Sequence, residues 1–155
     1  MDATISNLVT FLEIDDETRT RGSELWDLLQ PHADAVVDRF YEKVKSSAIS
    51  NRVTDDVIEG LKGKQKEHWA RLFTGRFDPD YVNGVRQVGI RHRDIALDPM
   101  WFVAGYMALK IAFMNVIAEA PLPPITKGRF IKMLDKYTAF DMAIALSAYN
   151  AVLVD

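Results

Sequence analysis

The chain has 155 residues, 48% of them hydrophobic and 26% charged, with a formal net charge of −3 and no cysteine. That is the size and make-up of one globular domain with a core of its own, and it excludes disulfides, thiolate metal sites and cysteine nucleophiles. The densest basic cluster, KGKQK from Lys62 to Lys66, reads as a solvated helix face, so there is no electrostatic footprint for nucleic acid.

The N-terminal MDATISNLVTFLEIDDE is acidic, and its apolar run is too short for a signal core or a membrane span. A cytoplasmic protein with no membrane part is expected. Apolar residues recur at spacings of three and four along the whole chain, while strand-like alternation never persists, so the expectation is all-α. ISNLVTFLEI is a short leading helix. DDETRTRGSELWDLLQ is the next, and Pro31 can open the one after it, which carries Ala35, Val36, Phe40 and Val44 on one side with Tyr41 adjoining. Thr54 caps a helix on which Leu61, Gln65, His68, Trp69 and Leu72 share a face, and Gly75 ends it. Asp78-Pro79 opens a helix running to about His92, and Asp98-Pro99 opens the long PMWFVAGYMALKIAFMNVIAEA. After PLPP, Thr126 caps a last helix that reaches almost to the C-terminus. No repeat or linker divides residues 1–155, so one domain of about seven helices is predicted.

The chemistry-bearing motifs are few. There is no HExxH, no glycine-rich phosphate loop and no GxSxG, and the acids of IDDETR and VTDD sit at helix starts, where capping accounts for them. Of three histidines, His32 lies in a first turn and is expected to be exposed. His68 shares its face with Leu61 and Leu72, and a histidine so placed is more often a packed core residue than a ligand. His92 follows Val85 and Val88 at spacings of three and four, which puts its imidazole on an apolar helix face. A neutral imidazole there suits a metal, and a single such histidine is how an axial haem ligand is presented. On the residues alone a lone histidine on an apolar face is more often simply packed, and Tyr41 is more often a core-boundary tyrosine than a ligand-pocket residue.

The strings FYEKV (Phe40 to Val44), KQKEHWARLFTGRFDPDYV, VGIRHRDIALDPMWFVAGY and FDMAIALSAY (Phe140 to Tyr149), in that order, resemble the haem-binding sensor domain of the globin-coupled sensors, a protoglobin-like unit. The similarity runs from about Trp26 to the C-terminal helix. It implies a globin fold with an extra N-terminal helix and no fourth globin helix, which the brief SSAISNRV connection suits. It implies haem b, with His92 as the proximal iron ligand and Tyr41 as the distal hydrogen-bond donor to O₂. Leu61 would line the ligand pocket, and Phe40, Lys64, His68, Val88, Ile95 and Phe102 would contact the cofactor. Two positions depart from the pattern. Ala96 replaces the usual glycine after the motif isoleucine, a change expected to be minor, and Phe102 replaces a tyrosine that can contact the proximal imidazole in relatives.

The resemblance further implies a sensor of O₂, CO or NO, not an enzyme, passing a signal to an output module. That module would be a chemotaxis transducer first, then a diguanylate cyclase or histidine kinase, with these residues as the N-terminal part of a longer protein. A haem-free interaction domain and a globin that turns over nitric oxide or peroxide are the alternatives. A homodimer through the last two helices is also implied, with part of the seams Met107, Ile111, Met114, Ile117 and Met133, Tyr137, Phe140, Ile144 facing a second subunit; the alternative is that both seams are simply core.

Overall fold

The computed structural model describes residues 2–52 and 54–151. Among these residues seven α-helices follow one another: α1 (Ala3–Phe11), α2 (Asp16–Leu29), α3 (Ala33–Lys45), α4 (Asp55–Phe73), α5 (Pro79–Asp94), α6 (Pro99–Glu119) and α7 (Pro124–Ala151). Short 3₁₀ turns occupy Gln30–His32 and Ser50–Arg52, and the described residues include no strand. The leading helix is present. Between α3 and α4 the described residues form one 3₁₀ turn and no further helix.

The starts of the helices follow from capping. Asp15 accepts from the Thr18 amide at 2.8 Å, Asp78 from the Tyr81 amide at 2.9 Å and Asp98 from the Met100 amide at 2.8 Å, each satisfying an amide the first turn leaves unpaired. Thr54 stands at the N-cap of α4 but makes no side-chain bond there. The end of α5 is built with equal care: the Ala96 amide bonds the Arg93 carbonyl and the Leu97 amide bonds the His92 carbonyl, at 2.8 and 3.1 Å. That pairing is a Schellman motif, and it places Ala96 at φ 56°, in the left-handed region that glycine prefers. The glycine missing from the motif at this position is therefore not a minor loss, contrary to the expectation from sequence. Ala96 carries backbone strain that glycine would relieve.

Packing centres on α7, against which α5 and α6 both lie. Gly89 allows the first of these contacts: a Cβ there would stand 2.1 Å from the Ala145 carbonyl oxygen, so only glycine lets the two backbones come this close. The next turn of α5 carries His92. Beneath these helices lies one continuous core that includes Leu25, Trp26, Trp69, Phe73, Phe77, Val85, Phe113, Tyr137 and Phe140. Across the other side, α3 and α4 are laced by ion pairs from Lys45 to Asp55, Lys62 to Asp38 and Lys66 to Asp34. Two lysines of KGKQK are thus held by acids of the neighbouring helix, while Lys64 is exposed.

Several local expectations change. Ala35 is exposed, and the buried stripe of α3 runs through Ala33, Val36, Val37 and Val44 with Phe40 half-buried. Pro31 belongs to the 3₁₀ turn, so α3 begins at Ala33. Thr126 lies inside the first turn of α7, which starts at Pro124. The seam Met133, Tyr137, Phe140, Ile144 is interior to the chain, with all four side chains buried by α7's own neighbours. The seam on α6 is split: Ile117 is buried, Met107 and Met114 are half-buried, and Ile111 is 54% exposed. By length and composition α6 could cross a bilayer, and only 17% of its most apolar stretch is buried. Lys110 in its middle nevertheless pairs with Asp135 of α7 at 2.9 Å.

Candidate functional site

His92 sits in the last turns of α5, half-buried, with its ring edge-on to Phe102 of α6 at 5.0 Å between centroids. Its Nδ1 lies 2.7 Å from the carbonyl oxygen of Val88, one turn back. A carbonyl can only accept, so Nδ1 carries the proton and Nε2 is left with a bare lone pair. Burial lowers the imidazole below its ordinary pKa, although the Val88 carbonyl works the other way. A neutral ring of fixed tautomer, its far nitrogen free, is the form in which histidine binds a metal. Among the described residues, no group of three or more His, Asp or Glu side chains converges on a point. Any metal held by His92 must bring its remaining ligands with it.

Phe102 is the hub of this wall. Buried at 4% exposure, it contacts His92, Tyr106 and Tyr149 at centroid distances of 5.0, 5.0 and 5.1 Å, all near edge-to-face. One turn further along α6 lies Gly105, where a Cβ would be 3.5 Å from Cζ of Phe40. The Phe40 ring from α3 and the His92 ring from α5 thus reach successive turns of the same helix. Tyr41 stands beside Phe40, half-buried, at 5.2 Å between rings. Among the described residues no group hydrogen-bonds its hydroxyl, and burial raises the phenol pKa, so it remains a protonated donor. Tyr41 also lines a cavity of about 320 Å³ between α3 and α4, bordered by Asp38, Ile58, Glu59 and Lys62.

The other residues singled out from the sequence are more dispersed. Val88 is half-buried and supplies the carbonyl to His92. Leu61 is half-buried on α4, Lys64 is exposed, and Ile95, the C-cap of α5, is 42% exposed. His68 is committed elsewhere: its Nε2 lies 2.8 Å from Oδ1 of Asp141.

Asp141 itself escaped the sequence reading. It is 2% exposed, and besides His68 it accepts from the Tyr81 hydroxyl at 2.5 Å and the Tyr106 hydroxyl at 2.8 Å. Burial would push this carboxyl up, but His68 and the two phenols hold it ionised, below its ordinary value. Burial would likewise push His68 down, but Asp141 prevails and the imidazole is raised, despite Arg71. A second unanticipated feature is Arg93. It holds Asp94 through Nε and Nη2, and its buried Nη1 has no hydrogen-bond partner among the described residues.

This architecture is that of known globin domains. The globin domain of a Geobacter sulfurreducens globin-coupled sensor superposes with a TM-score of 0.83 at 16% identity, over 93% of this chain and 96% of that one. The ferric globin domain of E. coli DosC gives 0.79 at 15% identity, over 94% and 99%. Among characterised proteins, the haem-based aerotactic transducer HemAT of Halobacterium salinarum is 26% identical over 96% of this chain. The present chain spans 33% of that transducer's length. The protoglobin family pattern matches residues 1–153, nearly end to end, and the chain belongs to the protoglobin family.

Proposed function

We propose that this domain binds haem b through His92 and senses O₂ or another diatomic gas as part of a signalling protein. The observation that carries the reading is the tautomer lock at His92, which leaves Nε2 bare in a half-buried, neutral ring. With no converging set of protein ligands among the described residues, that one imidazole would suit an iron whose remaining ligands come from a macrocycle. Nη1 of Arg93, without a partner among the described residues and on the residue next to His92, offers a donor of the kind that a porphyrin carboxylate accepts. The residues present therefore fit the group.

Haem, when bound, would supply an iron to which a diatomic gas can bind. The chain does the rest. His92 would hold the iron through Nε2, and the Val88 carbonyl fixes the ring's orientation and basicity. Phe102 braces that ring, without a hydroxyl to add a second hydrogen bond. Tyr41 offers the donor that a polarised ligand such as O₂ would use and CO would use less. Leu61 and Phe40 contribute apolar wall, and Ile95 and Lys64 lie toward the exposed edge.

The relation to a transducer three times as long supports a role as the sensing part of a larger protein, with a chemotaxis output the first choice. In this reading α6 is a packed globin helix, not a span, because Lys110 and Asp135 tie its middle to α7. The domain then works in the cytoplasm without catalysis of its own, as a homodimer. An absorption spectrum of the purified protein tests the proposal. A strong Soret band that shifts under CO and O₂ is expected; protein that takes up no haem on reconstitution would leave a haem-free interaction domain as the reading.

A further inference from the structure

The carboxylate of Asp141 joins four helices at one buried point: His68 of α4, Tyr81 of α5, Tyr106 of α6 and its own α7. Each donor has an added constraint. The His68 ring stacks on Tyr81 at 5.6 Å and 16°, so these two move together. Tyr106 contacts Phe102 edge-on at 5.0 Å, and Phe102 meets His92 in the same way. Two ring contacts therefore separate the Asp141 carboxylate from the imidazole of His92. A packed interior does not let one such ring shift while its neighbours stay still.

We propose that Asp141 is a positioning residue, clamping Tyr106 and through it the Phe102 ring that braces His92, so that the proton on His68 and the setting of His92 are linked across the bundle. The linkage belongs to the polypeptide, and only its use in gas sensing rests on His92 holding haem. The charges around the carboxylate favour it. His68, with Arg71 behind it, faces Asp141 from α4, Tyr81 faces it from α5 and Tyr106 from α6, and Tyr137 lies along the same helix. Of these, His68 is the counter-charge that hydrogen-bonds the carboxylate. When it deprotonates, Asp141 must draw harder on its two phenols. The pull on Tyr106 is passed to Phe102. A phenylalanine at 102 can transmit this by contact alone, which suits a chain lacking the hydroxyl at that position.

The test is a pH series of histidine side-chain ¹H–¹⁵N spectra on the purified domain, in the diamagnetic ferrous CO form if it carries haem and without cofactor if it does not. The resonance of the His92 Nδ1 proton, held by the Val88 carbonyl, should move with the same midpoint as the titration of His68. In Tyr106→Phe, which keeps the ring and loses the clamp, His68 should still titrate but the His92 resonance should cease to follow it. In Asp141→Asn the His68 midpoint should fall and the coupled movement disappear. A His92 resonance that is flat through the His68 titration in the wild type would overturn the proposal. So would one that follows it unchanged in folded Tyr106→Phe, which decides the matter even where Asp141→Asn fails to fold. The Soret band of the same samples separates this outcome from that of the haem reading.

Discussion

Nδ1 of His92 and the carbonyl oxygen of Val88, 2.7 Å apart on successive turns of α5, fix which nitrogen of the imidazole is free. The helix supplies this tether from its own backbone, so removing the imidazole should cost little in fold. His92→Ala is expected to give a helical, folded domain that loses most of its haem on gel filtration. Full haem retention with an unaltered spectrum would exclude His92 as the ligand.

Tyr41→Phe removes a donor that has no protein partner among the described residues and leaves the ring in place. One neutral hydrogen bond is worth about 1 kcal/mol, so O₂ dissociation should quicken roughly fivefold, and more if the pocket is dry. CO dissociation should change less. Stopped-flow traces showing equal acceleration for both gases would mean that the hydroxyl does not reach the ligand. His68→Leu is the control, expected to leave the O₂-to-CO ratio alone because Nε2 of His68 is spent on Asp141.

Ala96 at φ 56° offers a stability gain at a single atom's cost. An L-residue in the left-handed region is disfavoured by about 1–2 kcal/mol, and glycine gives back about 0.5–1 kcal/mol through its freer unfolded chain. Ala96→Gly should therefore stabilise by about 0.5–1 kcal/mol. Thermal denaturation would show a rise of about 1–4 °C for a domain of this size. No rise, or a fall, would mean that the turn after α5 is relaxed as it stands.

The pair formed by half-buried His68 and buried Asp141 gives stability a definite dependence on pH. His68 is raised in the folded state, so its contribution is complete below the ordinary imidazole value of about 6.5 and is lost as pH rises through the raised value. Asp141 is depressed, so its contribution is present above about 3.9 and is lost as pH falls toward the lower folded value. The urea midpoint should therefore be highest between these limits and decline on the alkaline side. Asp141→Asn leaves His68 with burial and Arg71, both of which favour the neutral ring, so that variant should weaken toward acid instead. An alkaline decline of the same size in Asp141→Asn would assign the effect to other groups.

The contrast between His92 and Asp141 shows what the sequence could and could not disclose. His92 lies in a string whose order, capping Asp98-Pro99 and helix periodicity are all local, so both its element and its face were legible. Asp141 also had a local signal. It shares the spacing of Tyr137, Ile144, Ala145 and Ala148, all buried, which marks it as an acid on an inward face. Its partners, 73, 60 and 35 residues away, had none. Tertiary packing also reassigned the apolar seam of α7, because periodicity shows that a face is covered without showing by what. The strain at Ala96 came from the Schellman geometry, which a residue name alone does not reveal.

That reassignment sharpens the last prediction, the dimer. With Met133, Tyr137, Phe140 and Ile144 used inside the chain, α7 turns Arg129, Lys132 and Asp135 outward, and these charges are a poor interface core. The outward face of α6 is different: Met100 is 63% and Ile111 54% exposed, and Ala104 and Ala118 lie open on the same side. Small residues between large ones let two such helices approach closely, and a two-fold axis would set the face against its own copy. The face starts at Pro99, directly after the turn that ends His92's helix, so movement at His92 has a short path to it through Phe102. We expect sedimentation at micromolar concentration to show a homodimer that buries more than about 1,000 Å² in all. Ile111→Lys, at a position the folded chain leaves exposed, should give a monomer with an unchanged circular dichroism spectrum. A wild-type monomer would reject the dimer, and an Ile111→Lys protein that still dimerises would move the interface away from α6.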